Sequence, residues 1–81
     1  MWKEQDNQLQ ATLQFQNFSS AWAFLTEVAM AAEKINHHPD WRNVYNRVEI
    51  TLSTHDAGNI VTEKDRQLAT VIEHIFQKYV G

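Results

Sequence analysis

From Gln8 to Gln16 the stretch QLQATLQFQ alternates strictly, with Leu9, Ala11, Leu13 and Phe15 on one parity and polar residues on the other. Side chains of a strand point alternately to its two faces, so the pattern predicts a strand with one face buried and one wet. The preceding WKEQ predicts a short partner strand carrying Trp2, and Asp6-Asn7 tolerate the dihedrals of a tight hairpin between the two. A second alternation puts Val48, Ile50 and Leu52 against Arg47, Glu49, Thr51 and Ser53. WRNVY before it predicts that strand's hairpin partner, through a turn near Asn46.

Between these hairpins the period changes. Ala21, Phe24, Leu25, Val28, Ala31, Ala32 and Ile35 fall on one helical stripe, with Ser19 as its expected N-cap, Trp22 as packing support and Asn36 as its stop. After the loop HDAGN, Thr62 opens a second helix, with Asp65 three residues on as in a capping box. Leu68, Val71, Ile72, Ile75, Phe76 and Tyr79 form its stripe. Strands with one apolar face and helices with one apolar stripe bury both most simply in two layers. The expected fold is α+β, a two-layer sandwich with a four-stranded antiparallel sheet and two long helices on one face, in the order β-β-α-β-β-α.

Composition narrows the chemistry. The 81 residues, with Gly 2 and Pro 1, predict a single domain over 1–81 without an internal linker. A domain of this size buries only about 60% of the surface its unfolded chain exposes, which makes self-association an economical source of stability. With Cys 0, a disulfide, a thiolate nucleophile and a cysteine metal site are excluded. The net charge is -3 and Lys and Arg are scattered, so direct nucleic-acid binding and an anionic membrane surface are not expected. No apolar run approaches the roughly 20 residues of a membrane span, and WKEQDNQ after Met1 does not resemble a secretion signal. The chain reads as cytoplasmic.

Three of the 4 histidines, His37, His38 and His55, lie in the stretch INHHPDWRNVYNRVEITLSTH. His37 and His38 stand at a helix exit, where Pro39 drives His38 into an extended conformation; neighbours in an extended segment point to opposite sides, so the two differ in role. His55 stands at a strand end. Imidazole gives and accepts protons near neutrality, which suits a reaction needing an acid and a base together. Residue types alone leave three readings: a solvated loop, a three-imidazole zinc site with an open position, or a proton-transfer site. Against zinc, no HExxH or similar ligand spacing is present. Glu33, four residues before His37, can orient an imidazole or stand as a helix surface charge. Asp65 is accounted for by capping; Lys64 and Arg66 are most simply solvated, with contact to a polar ligand as the alternative, and His74 reads as a surface or interface residue. Trp2 and Trp41 are candidates to flank a planar ligand, with rim packing as the plainer reading of each.

Taken together, Glu33, His37-His38-Pro39, Tyr45, His55 and Asp65, within AEKINHHPDW, NVYNRVEITLSTH and TEKD, resemble the signature of the pterin-4a-carbinolamine dehydratases over nearly the whole chain. The resemblance implies a hydro-lyase that removes water from 4a-hydroxytetrahydropterin to give quinonoid dihydropterin, in tetrahydrobiopterin recycling. It implies no metal and no redox cofactor, the pterin being the substrate. It places His37, His38 and His55 in the active site, with Glu33 and Asp65 in support and Trp2, Trp41 and Lys64 as candidate pterin contacts. Homodimers or homotetramers, built by helix packing and sheet extension, are implied as well. So is an alternative function, since some relatives are binding or assembly modules or transcriptional coactivators. The chain departs from the family where Lys64 replaces a common arginine and where HDAGNIVTEKD is one residue longer. Members of the family usually carry an extra helix before the first strand, whereas this sequence starts almost directly at Trp2.

Overall fold

A computed structural model of the chain describes residues 1–80. Its elements run β1 (Lys3–Gln5), β2 (Gln8–Gln14), α1 (Phe18–Lys34), β3 (Asp40–Val44), β4 (Arg47–Leu52) and α2 (Glu63–Phe76), with 3-10 turns at His55–Ala57 and Gln77–Tyr79. The expected α+β order is therefore the observed one. The sheet is antiparallel throughout, in the order β1-β2-β4-β3, so each hairpin contributes one strand to the centre.

The register follows from hydrophobic pattern. Leu9 pairs with Leu52, Ala11 with Ile50 and Leu13 with Val48, which puts both apolar parities on one face. All six of these side chains are buried, and they form one core with Phe24, Leu25 and Val28 of α1 and Leu68, Ile72 and Ile75 of α2. Phe15 sits at its aromatic end, 4.9 Å from Phe24 and 5.4 Å from Phe76 between ring centroids. The ladder stops at Gln14, yet Phe15 keeps an extended strand's partner, since its amide donates to the Asn46 carbonyl at 2.8 Å.

Turn chemistry explains the joins. Asp6 and Asn7 both take positive φ, 55° and 62°, which the two-residue hairpin between β1 and β2 requires. Tyr45 also has positive φ, 53°, in the turn before Asn46, and Asn46 ties that turn to β2 by donating its side-chain amide to the Phe15 carbonyl at 2.9 Å.

Four local expectations are corrected. Asn17, not Ser19, caps α1: its Oδ1 accepts from the Ser20 amide at 2.9 Å, because the helix begins two residues earlier than expected, at Phe18. Trp22 does not support packing beneath the helix but is 58% exposed on its outer side, stacked on Phe18. Trp2 lies just before β1 rather than on it. The second helix stops at Phe76 and carries Tyr79 on a 3-10 turn instead. The capping box of Thr62 and Asp65 is present as expected.

Candidate active site

The exit of α1 places the first two histidines. Asn36, with φ of 52°, turns the chain out of the helix, the Asn36 amide donates to the Glu33 carbonyl and the His37 amide reaches back to the Ala32 carbonyl, each at 3.2 Å. These are the paired bonds of a Schellman motif, which satisfies the last carbonyls of the helix and fixes where His37 begins. From there His37 turns inward and His38 outward.

His37 Nε2 lies 2.6 Å from Asp65 Oδ1, with the two side chains 11% and 0% exposed. Asp65 Oδ2 accepts two further hydrogen bonds, from the Thr54 hydroxyl at 2.7 Å and the Thr62 amide at 2.8 Å. Burial pushes this carboxyl up, but the bonds from His37, the Thr62 amide and the Thr54 hydroxyl outweigh it and hold it below the usual aspartate value. An ionised carboxylate only accepts, so His37 carries its hydrogen on Nε2 and Nδ1 is the nitrogen left to exchange a proton.

Glu33 pairs with the other histidine. Its Oε1 is 2.8 Å from His38 Nε2, so the carboxylate four residues before His37 serves its neighbour instead, in a pair whose side chains are 78% and 57% exposed. His55 begins the 3-10 turn after β4 with its side chain 91% exposed; at 3.6 Å, Asp56 is too far to hydrogen-bond it.

His37, His38 and His55 line one cleft of about 250 Å³, together with Asn36, Ser53, Thr54, Asp56 and Lys64. The tryptophans lie elsewhere. Trp41 lines a larger apolar hollow of about 590 Å³ with Met30 and Pro39, which meets the histidine cleft only at His38. Trp2 donates its Nε1 hydrogen to the Ala69 carbonyl at 3.2 Å and lines a third hollow near Arg66. Within one chain the two rings therefore do not flank a common space. Tyr45 is 63% exposed in the β3–β4 turn and is not among the cleft residues. Among the described residues no three His, Asp or Glu side chains converge as metal ligands.

Sequence reasoning passed over Thr54. The signal was present: Thr54 continues the parity of Val48, Ile50 and Leu52, so it is a polar residue on the apolar face, and a buried hydroxyl needs partners.

Residues 1–75 match the family model described as pterin 4 alpha carbinolamine dehydratase. The chain belongs to this family. A Burkholderia ambifaria (strain MC40-6) relative named "Putative pterin-4-alpha-carbinolamine dehydratase" is 52% identical over 67 residues, 83% of this chain and 65% of that protein. A Mesorhizobium japonicum relative of the same name is 60% identical over 62 residues, 76% of this chain and 62% of that protein. The chain thus spans somewhat less than two thirds of the length of either relative. Among solved structures, the transcriptional coactivator/pterin dehydratase from Brucella melitensis superposes with a TM-score of 0.87 at 41% identity, covering 91% of this chain and 80% of that one. A pterin dehydratase-like protein identified as a RuBisCO assembly factor in the alpha-carboxysome shares the fold, with a TM-score of 0.74 at 22% identity over 93% of this chain and 86% of that one. No helix among the described residues is long and apolar enough to cross a membrane.

Proposed function

We propose that this chain dehydrates a 4a-hydroxytetrahydropterin to the quinonoid dihydropterin. The C4a–O bond breaks as the hydroxyl takes a proton and leaves as water, and N5 gives up its proton. Electrons stay within the pterin, so proton transfer alone suffices and neither a metal nor a redox cofactor is required. His37 and His38, each protonated on the ring before the step, assist departure of the hydroxyl as general acids, His37 giving its proton from Nδ1, while His55, at the mouth of the cleft, takes the N5 proton or holds the ring. Asp65 keeps His37 in one tautomer and Glu33 steadies His38. Lys64, which lines the same cleft, meets polar edges of the substrate.

The observation that carries this reading is the His37–Asp65 pair in the wall of a cleft shared by two further imidazoles. A carboxylate that sets an imidazole's tautomer is a recurrent arrangement in proton transfer. Titrating a stable dihydropterin into labelled protein tests it: the His37, His38 and His55 ring signals shift together. Shifts confined to the Trp22 face contradict it.

The second reading is a binding or assembly module, and an exposed apolar run on α1 favours it. Phe18, Trp22 and Met30 are all open to solvent on that helix. The same surface suits the homodimer or homotetramer that we propose for the chain, since exposed apolar patches mark association sites. Light scattering after size exclusion measures this, and a strict monomer at micromolar concentration contradicts it.

A further inference from the structure

Thr54 joins both histidine-bearing segments to one carboxylate. It is buried, 7% exposed, just after β4, and it follows the inward parity of Leu52. Its amide donates to the Ile60 carbonyl at 2.8 Å, and its own carbonyl accepts from Ala57 and Asn59 at 3.2 and 3.0 Å. The loop that carries His55 therefore closes on the Thr54 backbone, which leaves the side chain little freedom.

The hydroxyl has a defined direction as well. Its single proton goes to Asp65 Oδ2, which can only accept, so in the 2.6 Å contact between Thr54 and Thr62 hydroxyls Thr62 is the donor. Oδ2 thus holds two donors, the Thr54 hydroxyl and the Thr62 amide. Turning the carboxylate would break both bonds in a buried place, where unmade hydrogen bonds are costly. Oδ1 is thereby kept on His37 Nε2.

We infer that Thr54 is a positioning residue for His37: its hydroxyl locks the Asp65 carboxylate, and the carboxylate fixes the orientation of the imidazole and its Nε2–H tautomer. This rests on the reading of His37 as a proton-transfer group. A purely structural role, satisfying a buried carboxylate and tying the strand end to α2, would alter stability and leave the tautomer and turnover alone.

Thr54→Val removes the hydroxyl at nearly constant shape, and Thr54→Ser retains it. In the full chain, nitrogen–proton correlation spectra of the imidazoles read the tautomer directly. The wild type shows hydrogen on His37 Nε2; T54V shows a mixture with the Nδ1–H form, while His38 and His55 are unchanged; T54S restores the wild-type pattern. Turnover follows, with kcat falling about tenfold in T54V at nearly constant KM and recovering in T54S. Should T54V fail to fold, Thr54→Ala is read in the same way. A folded T54V or T54A with a pure Nε2–H tautomer and wild-type kcat overturns the positioning role, and does so even where the wild type is an active dehydratase. A mixed tautomer in T54V beside a wild type that does not accelerate dehydration supports the positioning and contradicts the catalytic reading instead.

Discussion

His37 and Asp65 meet at 2.6 Å across 28 residues of sequence, joining the exit of α1 to the first turn of α2. The same carboxylate accepts the Thr62 amide in the capping box, so one side chain both begins a helix and orients an imidazole. Substitutions at this point therefore touch both stability and chemistry.

Asp65→Asn inverts the tautomer. The asparagine carbonyl takes the two donors that now reach Oδ2, which turns its amide hydrogens toward His37 Nε2 and makes that nitrogen an acceptor. The hydrogen moves to Nδ1. Turnover is expected to fall by at least about 100-fold with little change in KM, while the far-ultraviolet circular dichroism stays native.

Acid should unfold the chain partly through this carboxyl. Its folded value lies below the ordinary one, so the unfolded state binds the proton more tightly. The stabilisation is fully present above about pH 4 and is lost as pH falls through the lower folded value. Glu27 adds to the same window, since hydrogen bonds from Lys78 and Tyr79 hold it below the usual glutamate value. Urea melts between pH 7 and pH 2 should show stability falling at the acid end, with a shallower fall in D65N. An identical fall in D65N contradicts this.

Phe24→Ala should be among the most damaging core changes. The ring is wholly buried and packs at 4.9 Å on Phe15 and 6.0 Å on Phe76. A loss of about 3–5 kcal/mol is expected, large against the stability of a small domain, and thermal melting measures it.

Glu33→Gln tests the exposed pair. With both side chains largely in water, the Glu33–His38 contact should contribute less than about 1 kcal/mol, so the melting temperature hardly moves. A change as large as that of Phe24→Ala contradicts the assignment.

Much of the fold is legible because burial leaves a period in the sequence. Leu9 to Phe15 and Val48 to Leu52 show their strands by alternation, and Phe24, Leu25 and Val28 show α1 by stripe. Helix ends are less legible, since Asn17 and Ser19 are equally good caps and only tertiary packing chooses between them. At the site, the motif brought the three histidines and Asp65 to attention. Which carboxylate serves which imidazole was hidden: four residues suggest that Glu33 meets His37, but the left-handed turn at Asn36 hands Glu33 to His38 and leaves His37 for a residue on another helix. Trp22 is illegible for another reason, because an aromatic on a helix beside an apolar stripe reads as core, whereas this ring stands in solvent against Phe18.

The central claim, that the histidine cleft dehydrates a 4a-hydroxytetrahydropterin, is tested most directly by stopped flow. The decay of freshly generated carbinolamine is followed with wild-type chain, with His37→Ala and without protein. The account predicts that wild-type protein speeds the decay well above the spontaneous rate and that His37→Ala loses most of this. Equal decay with and without wild-type protein would contradict it.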